Sequence, residues 1–271
     1  SPTVRATPTA RRSASAACPA AEAFAGLPVF ARDLGAPDDL LVLADGTMWI
    51  SDPAHGTLRH LDAEGRALET IADPEEPEGI AELPDGRLAV AEQRLNRVVT
   101  LRPPSTVRTP LFELPPAGAA LGVDGIAFDG ARGELLVPDS PHGTLVAWRF
   151  PSGPARVIAR GLGRGVGVVA ASNGDVYVTA EAARGLLRIV SGHGDAVGAV
   201  VQADDIVAAG GWLYVTMIDS GQLVAVDPSS GRREVLVTGI GAAQGLALTR
   251  DGRLAIADSN RGVIAIARAC S

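Results

Sequence analysis

The 271-residue chain has no Lys: its 24 basic side chains are all Arg, set against 31 acids for a formal charge of −7. An acidic excess gives no electrostatic reason to expect nucleic acid or an anionic membrane as partner. The missing Lys itself carries no mechanism. Aromatics make up only 4% of the residues, so the core must come from Val, Ile, Leu and Ala. No apolar run approaches the length of a membrane span, and no amphipathic helix of three turns emerges. Cysteine occurs twice, at Cys18 and Cys270, which leaves no zinc-type spacing. A Gly-x-Ser-x-Gly elbow and a phosphate-binding glycine loop are also absent.

What the chain has instead is one phrase written six times: a short apolar run, a turn ending in glycine, and a β-rich run closing on an acid. The turn glycines are Gly46, Gly86, Gly133, Gly174, Gly211 and Gly252, spaced 37 to 47 residues apart, the period of propeller blades rather than helical solenoids. The fold class expected is all-β, a six-bladed β-propeller forming a single domain over residues 25–271. Residues 1–24 are Ser/Thr/Pro/Ala-rich without period and read as a flexible arm. Arg11-Arg12 and Ala16-Ala17-Cys18 suggest targeting signals only superficially, because both need an apolar core that is missing. A targeting segment upstream of Ser1 stays open.

Each blade needs four antiparallel strands. The second copy supplies them at GIAEL, RLAVAE, RVVTLR and RTPLFEL, and later outer strands fall at ARVIARGL, DAVGAVVQ and REVLVTGI. The sixth copy runs out after GVIAIARAC. Its missing outer strand is expected from PVFARDLGAPDDL at Pro28, which shares its pattern with EVLVTGIGAAQGL at Glu234. Closure by the N-terminal strand pairs both edges of an otherwise open ring. It also brings Cys18 toward Cys270, so a disulfide is expected, and with it an oxidising compartment, secreted or periplasmic.

Residues just before each inner strand form a ring around the axial funnel: Asp38, Glu78, Asp124, Val166, Asp204 and Gln244, with Asp39 and Asp205 adjacent. Four carboxylates on one axis repel by a few kcal/mol per pair at an effective dielectric of about 20. Either some bind protons or a cation lies among them. An oxygen-only donor set favours Ca²⁺ or Mg²⁺. The plainer reading is that these acids cap turns and bond the next inner strand. A second set, Asp52, Glu92, Asp139 and Asp258, ends the second strand in most copies and reads as structural, bonding the hairpin backbone.

The hairpins between second and third strands return to the same mouth and differ between copies, as substrate-contacting loops would. They carry His55, Arg94, Asn96, His142, Glu181, Arg184, Met217, Asp219, Asn260 and Arg261. Arg94, Asn96, Glu181, Asp219, Asn260 and the ring residue Gln244 are the substrate-binding candidates. His55 and His142 hold equivalent places in alternate copies and are candidate general bases, since imidazole titrates near neutrality. The alternative for each is a surface histidine.

PEGIAELPDGRLAVAE, VDGIAFDG and QGLALTRDGRLAIADSNRGVI resemble the blade phrase of two groups. One is the NHL-repeat propellers, mostly binding modules. The other is the senescence-marker/gluconolactonase/luciferin-regenerating family, six-bladed metal-dependent hydrolases of lactones and some phosphoesters. The resemblance spans residues 27 to 268 and implies an axial divalent cation. Its ligand positions fall on Asp38 and Asp204, its pocket position on Asp124, and its fourth-blade ligand on Val166, which offers no donor. Glu78 is the geometric substitute.

The reading that follows is a secreted monomer holding Ca²⁺ or Mg²⁺ at Asp38, Glu78, Asp124 and Asp204. The ion would polarise a carbonyl or activate water to hydrolyse a small ester or lactone, with Asp124, Asp204, His55 and His142 as catalytic candidates. Two alternatives stay open: a non-catalytic propeller binding a peptide, glycan or small molecule, and a lyase or condensing enzyme on the same scaffold.

Overall fold

The computed structural model describes residues 17–271, and within them the chain is an all-β propeller. Helix is limited to three 3₁₀ turns among the described residues, Phe24–Gly26, Gln93–Leu95 and Ser140–His142, and no helix there is long and apolar enough to cross a membrane.

Each sequence copy contributes an antiparallel run of strands in chain order. The inner strands are Leu40–Val42, Pro77–Glu82, Ala127–Asp129, Gly165–Ala170, Ala203–Ala209 and Ala243–Leu248. Inner strands of successive copies lie against one another, and the sixth returns to the first, so the ring closes. Hydrogen bonding divides the strands into five sheets, because the outer strands of the third and fourth copies touch through a single parallel pair, Arg160 with His193. That pair merges two four-stranded runs into an eight-stranded sheet.

Alternation explains the packing. In the second strands Met48–Asp52, Leu88–Glu92 and Leu254–Asp258 every residue is buried, because each lies between neighbouring sheets and both faces are covered. Small residues such as Ala89, Ala91, Ala255 and Ala257 let adjacent sheets approach where the wedge narrows toward the axis. Large side chains such as Trp49, Trp148, Tyr177 and Tyr214 are likewise buried. The fourth outer strand is His193–Ala196, which begins two residues before the expected DAVGAVVQ and shares only Asp195 and Ala196 with it. Gly198 at φ +63° and Gln202 at φ +46° break extended backbone there, and Val197 and Val200 turn into the core instead.

Closure runs as expected, with Val29–Ala31 pairing antiparallel to Val263–Ala267 as the outer strand of the last sheet. The expected flexible arm divides. Residues 1–16, with Arg11-Arg12, lie outside the described residues. Residues 17–24 are held: Glu22–Ala23 adds a parallel strand beside Arg233–Thr238, and Phe24 and Leu27 pack with Trp212, Tyr214 and Ile240. Cys18 and Cys270 form a disulfide across a sequence separation of 252. The Cys270 amide donates to the Tyr214 hydroxyl at 3.0 Å, which ties the C-terminus to the same core. A cross-link enclosing most of the chain restricts its unfolded state strongly, by about 5 kcal/mol in a loop-entropy argument. Cys18→Ser with Cys270→Ser is therefore expected to lower chemical-denaturation stability by that order, measured by urea titration, while leaving the β-sheet circular dichroism unchanged.

Candidate active site at the axial mouth

The ring position and the residue after it form six register-equivalent pairs: Asp38-Asp39, Glu78-Gly79, Asp124-Gly125, Val166-Gly167, Asp204-Asp205 and Gln244-Gly245. The second member of each pair faces the neighbouring inner strand. Where it is glycine, backbones meet directly: the Gly79 amide donates to the Asp124 carbonyl at 3.1 Å, and a Cβ on Gly245 would fall on the Asp38 carbonyl oxygen. Where it is aspartate, its carboxylate spans the gap. Asp39 accepts from the amides of Leu40 (2.8 Å) and Ile80 (2.6 Å), and Asp205 does the same with Ile206 (2.6 Å) and Leu246 (2.7 Å). Asp39 and Asp205 thus stitch neighbouring units together. Hydroxyls on the second strands complete the pattern: Ser51, Thr179 and Thr216 each accept the amide of residue 39, 167 or 205 at 2.9 Å.

Of the first members Asp38, Asp124, Val166 and Asp204 line an axial cavity of about 10 Å³, to which the second members Asp39 and Asp205 also contribute, while Glu78 and Gln244 lie outside its lining; its space is that of roughly one water. Burial dominates their titration. It pushes Asp38 up to about 8, aided by the charges of Asp124 and Asp205, and Asp205 up to about 7. Glu78 and Asp204 are also raised, first by burial and then by neighbouring acids. Asp124 rises only to about 6 because the Arg164 guanidinium opposes its burial. Gln244 donates its side-chain amide to Asp38 at 3.2 Å, while its Oε1 is buried without a partner.

Arg164 is a residue of this site that sequence reading passed over. It sits in the GLGRG lead-in to the fourth inner strand, whose ring position is the donorless Val166. Leu162, buried at its centre, anchors that loop, and the Arg164 carbonyl accepts the Glu181 amide at 3.1 Å. From there the guanidinium reaches Asp124 Oδ2 through Nη2 at 2.9 Å and Glu181 Oε2 through Nε at 2.5 Å. Nη1 is buried without a partner. The signal available was an Arg two residues before the ring position in the one copy without a polar ring side chain.

Among the described residues no group of three or more His, Cys, Asp or Glu side chains has the arrangement of a metal site.

Beside the axis, between the hairpin of the third copy and the lead-in loop of the fourth, lies a cleft of about 510 Å³. Ala120, Leu121 and Pro141 form its apolar wall, with Ser140, His142 and Arg164 as polar groups. His142 Nδ1 lies 2.9 Å from Asp139 Oδ1, and Asp139 is buried. A carboxylate accepts, so Nδ1 donates and Nε2 keeps its lone pair free. His55 makes the corresponding pair with Asp52 at 2.8 Å, but its side chain is 59% exposed and lines no such cleft.

The remaining candidates scatter. Asn96 is buried and spent internally: it donates to Pro115 O and Asp139 Oδ1 and accepts the Val123 amide. Arg94 pairs with Glu75 at the surface. Asn260 donates to the Gly241 carbonyl at 3.0 Å. Asp219 is exposed, and Met217 belongs to the core. Asp52 and Asp258 bond hairpin backbone amides as expected, whereas Asp139 bonds the side chains of His142 and Asn96. Glu92 instead holds Arg97 at 2.5 Å.

No protein-family profile matches the chain, and no curated protein matches it. Solved structures do. A protein provisionally described as a gluconolactonase superposes with a TM-score of 0.72 at 16% identity, covering 91% of this chain and 95% of its own. The PQQ-bound aldose sugar dehydrogenase of Streptomyces coelicolor gives 0.72 at 17%, covering 89% and 96%. A catalytically inactive His-to-Ala variant of virginiamycin B lyase from Staphylococcus aureus, solved with quinupristin, gives 0.68 at 18%, covering 86% and 81%. At these identities the likeness shows the fold alone.

The axial acids make stability pH-dependent with a definite sign. Their folded-state values lie above the ordinary carboxylate value of about 4, so the stability they contribute is full below it and is lost progressively as pH rises from about 4 through the folded values of about 6 to 8. Thermal unfolding is expected to shift to lower temperature across that window. Asp38→Asn should flatten the decline and gain on the order of 1 kcal/mol or more at pH 8, one pKa unit's worth, measured by calorimetry at several pH values.

Proposed function

We propose that this chain is a secreted, six-bladed propeller, counting the eight-stranded sheet as two blades, that hydrolyses a small ester or lactone at its axial mouth. The observation carrying the reading is the cleft into which both the Asp139-oriented His142 and Arg164 open. The Cys18–Cys270 disulfide is compatible with an extracellular setting.

In this reading His142 Nε2 takes a proton from water as the water oxygen attacks the substrate carbonyl carbon. Asp139 holds the ring and stabilises the imidazolium that forms. The positive charge of the Arg164 guanidinium at the edge of the cleft stabilises the carbonyl oxygen as negative charge develops there. When the carbon–alkoxy bond breaks, the imidazolium returns its proton to the leaving oxygen. Ala120, Leu121 and Pro141 favour an apolar acyl or ring portion. The axial acids hold Arg164 in place through Asp124.

A second reading, a non-catalytic propeller that binds a peptide, glycan or small molecule, draws support from the exposed Leu95 and Leu121 at the same rim. Turnover of a panel of γ- and δ-lactones and aryl esters separates the two. Hydrolysis is expected in wild type, insensitive to EDTA, with kcat/KM lowered about 10²- to 10⁴-fold in His142→Ala and little changed in His55→Ala. Full activity in His142→Ala, or no turnover of any ester or lactone, would exclude the hydrolase.

A further inference from the structure

We infer that Arg164 is the resident cation of this axis: its guanidinium takes the electrostatic place of a metal ion, and the ring acids bind no divalent ion while it is there.

Four observations converge on this. Among the described residues Arg164 is the cationic side chain that pairs with a ring acid, through Nη2 to Asp124 at 2.9 Å. It enters from the fourth copy, the one whose ring position, Val166, has no oxygen to offer. Its loop is pinned from both sides, by the buried Leu162 and by the Glu181 amide on its own carbonyl, and Glu181 Oε2 accepts its Nε at 2.5 Å. The carboxylates it leaves, though close together, do not have the arrangement of a metal site among the described residues.

The charge arrangement agrees. A guanidinium stays protonated at any physiological pH and binds carboxylates through a planar fork. Asp124, Glu181 and Asp204 are the acids whose charges act on it. A divalent ion entering a space of about 10 Å³ would have to approach a fixed like charge.

The inference goes beyond hydrolysis, and its test reads no turnover. Wild type, Arg164→Gln and Arg164→Lys, each freed of metal by chelation, are titrated with Ca²⁺ and with Mg²⁺ by calorimetry and by thermal unfolding. Wild type and Arg164→Lys are expected to show no saturable binding and no stabilisation at millimolar ion. Arg164→Gln is expected to acquire a site with Kd in the ~10⁻⁴–10⁻³ M range or tighter and a Tm that rises with Ca²⁺. Folding of Arg164→Gln only in the presence of Ca²⁺ supports the exchange of one cation for the other. If that variant folds in neither condition, the wild-type titration decides, absent binding supporting the inference. Saturable divalent binding by wild type, or a folded Arg164→Gln that binds no better than wild type, overturns it. Ester hydrolysis without ion binding leaves both readings standing, whereas ion binding by an active wild type sinks this one alone.

Discussion

Inner strands packed side by side around an axis impose the constraint on which the rest of this structure depends. They approach so closely that the residue after each ring position must be either glycine, allowing backbone contact, or an aspartate whose carboxylate bridges to the next strand. Asp39 and Asp205 serve this bridging role, each accepting one amide of its own strand and one of the neighbouring inner strand. The geometry that makes the ring compact is the same one that turns the preceding residue inward. Acids separated by some forty residues in the chain therefore become neighbours in a space that water scarcely enters.

Such crowding must be relieved, and the protein relieves it in three ways. Burial raises the carboxyl values of Asp38, Glu78 and Asp204, which favours their protonated forms. Gln244 replaces one acid with a neutral donor that bonds Asp38. Arg164 supplies a fixed positive charge at Asp124 and then continues outward to border the cleft beside His142. That side chain links the electrostatics of the axis to the chemistry available at the mouth: loosening its hold on Asp124 would alter both.

Much of the fold was legible because each cue was local and repeated. The glycine turns recur on the blade period, the last copy visibly lacks a strand, and a matching run occurs at Pro28, so closure and the Cys18–Cys270 bridge could be read together. The fourth outer strand was misplaced because DAVGAVVQ alternates like a strand, while its Gly198 adopts positive φ. Residues 17–24 read as an arm because two-residue pairing at Glu22–Ala23 leaves no periodic signal, although Phe24 is nearly fully buried. Asn96 looked like a hairpin contact, yet its amide is consumed between Pro115, Asp139 and Val123. A polar residue in a turn carries no sequence mark of which way it faces.

The amino-acid order by itself determined the class of the fold, its repeat, the manner of its closure and the set of acids that share the axis, since these follow from periodicity and register. Tertiary structure alone decided how those acids are neutralised. Whether an Arg two residues from the ring turns outward to solvent or inward to Asp124 depends on the Leu162 anchor and on the neighbouring hairpin at Glu181. Those contacts join segments of separate strands, and no local pattern encodes them.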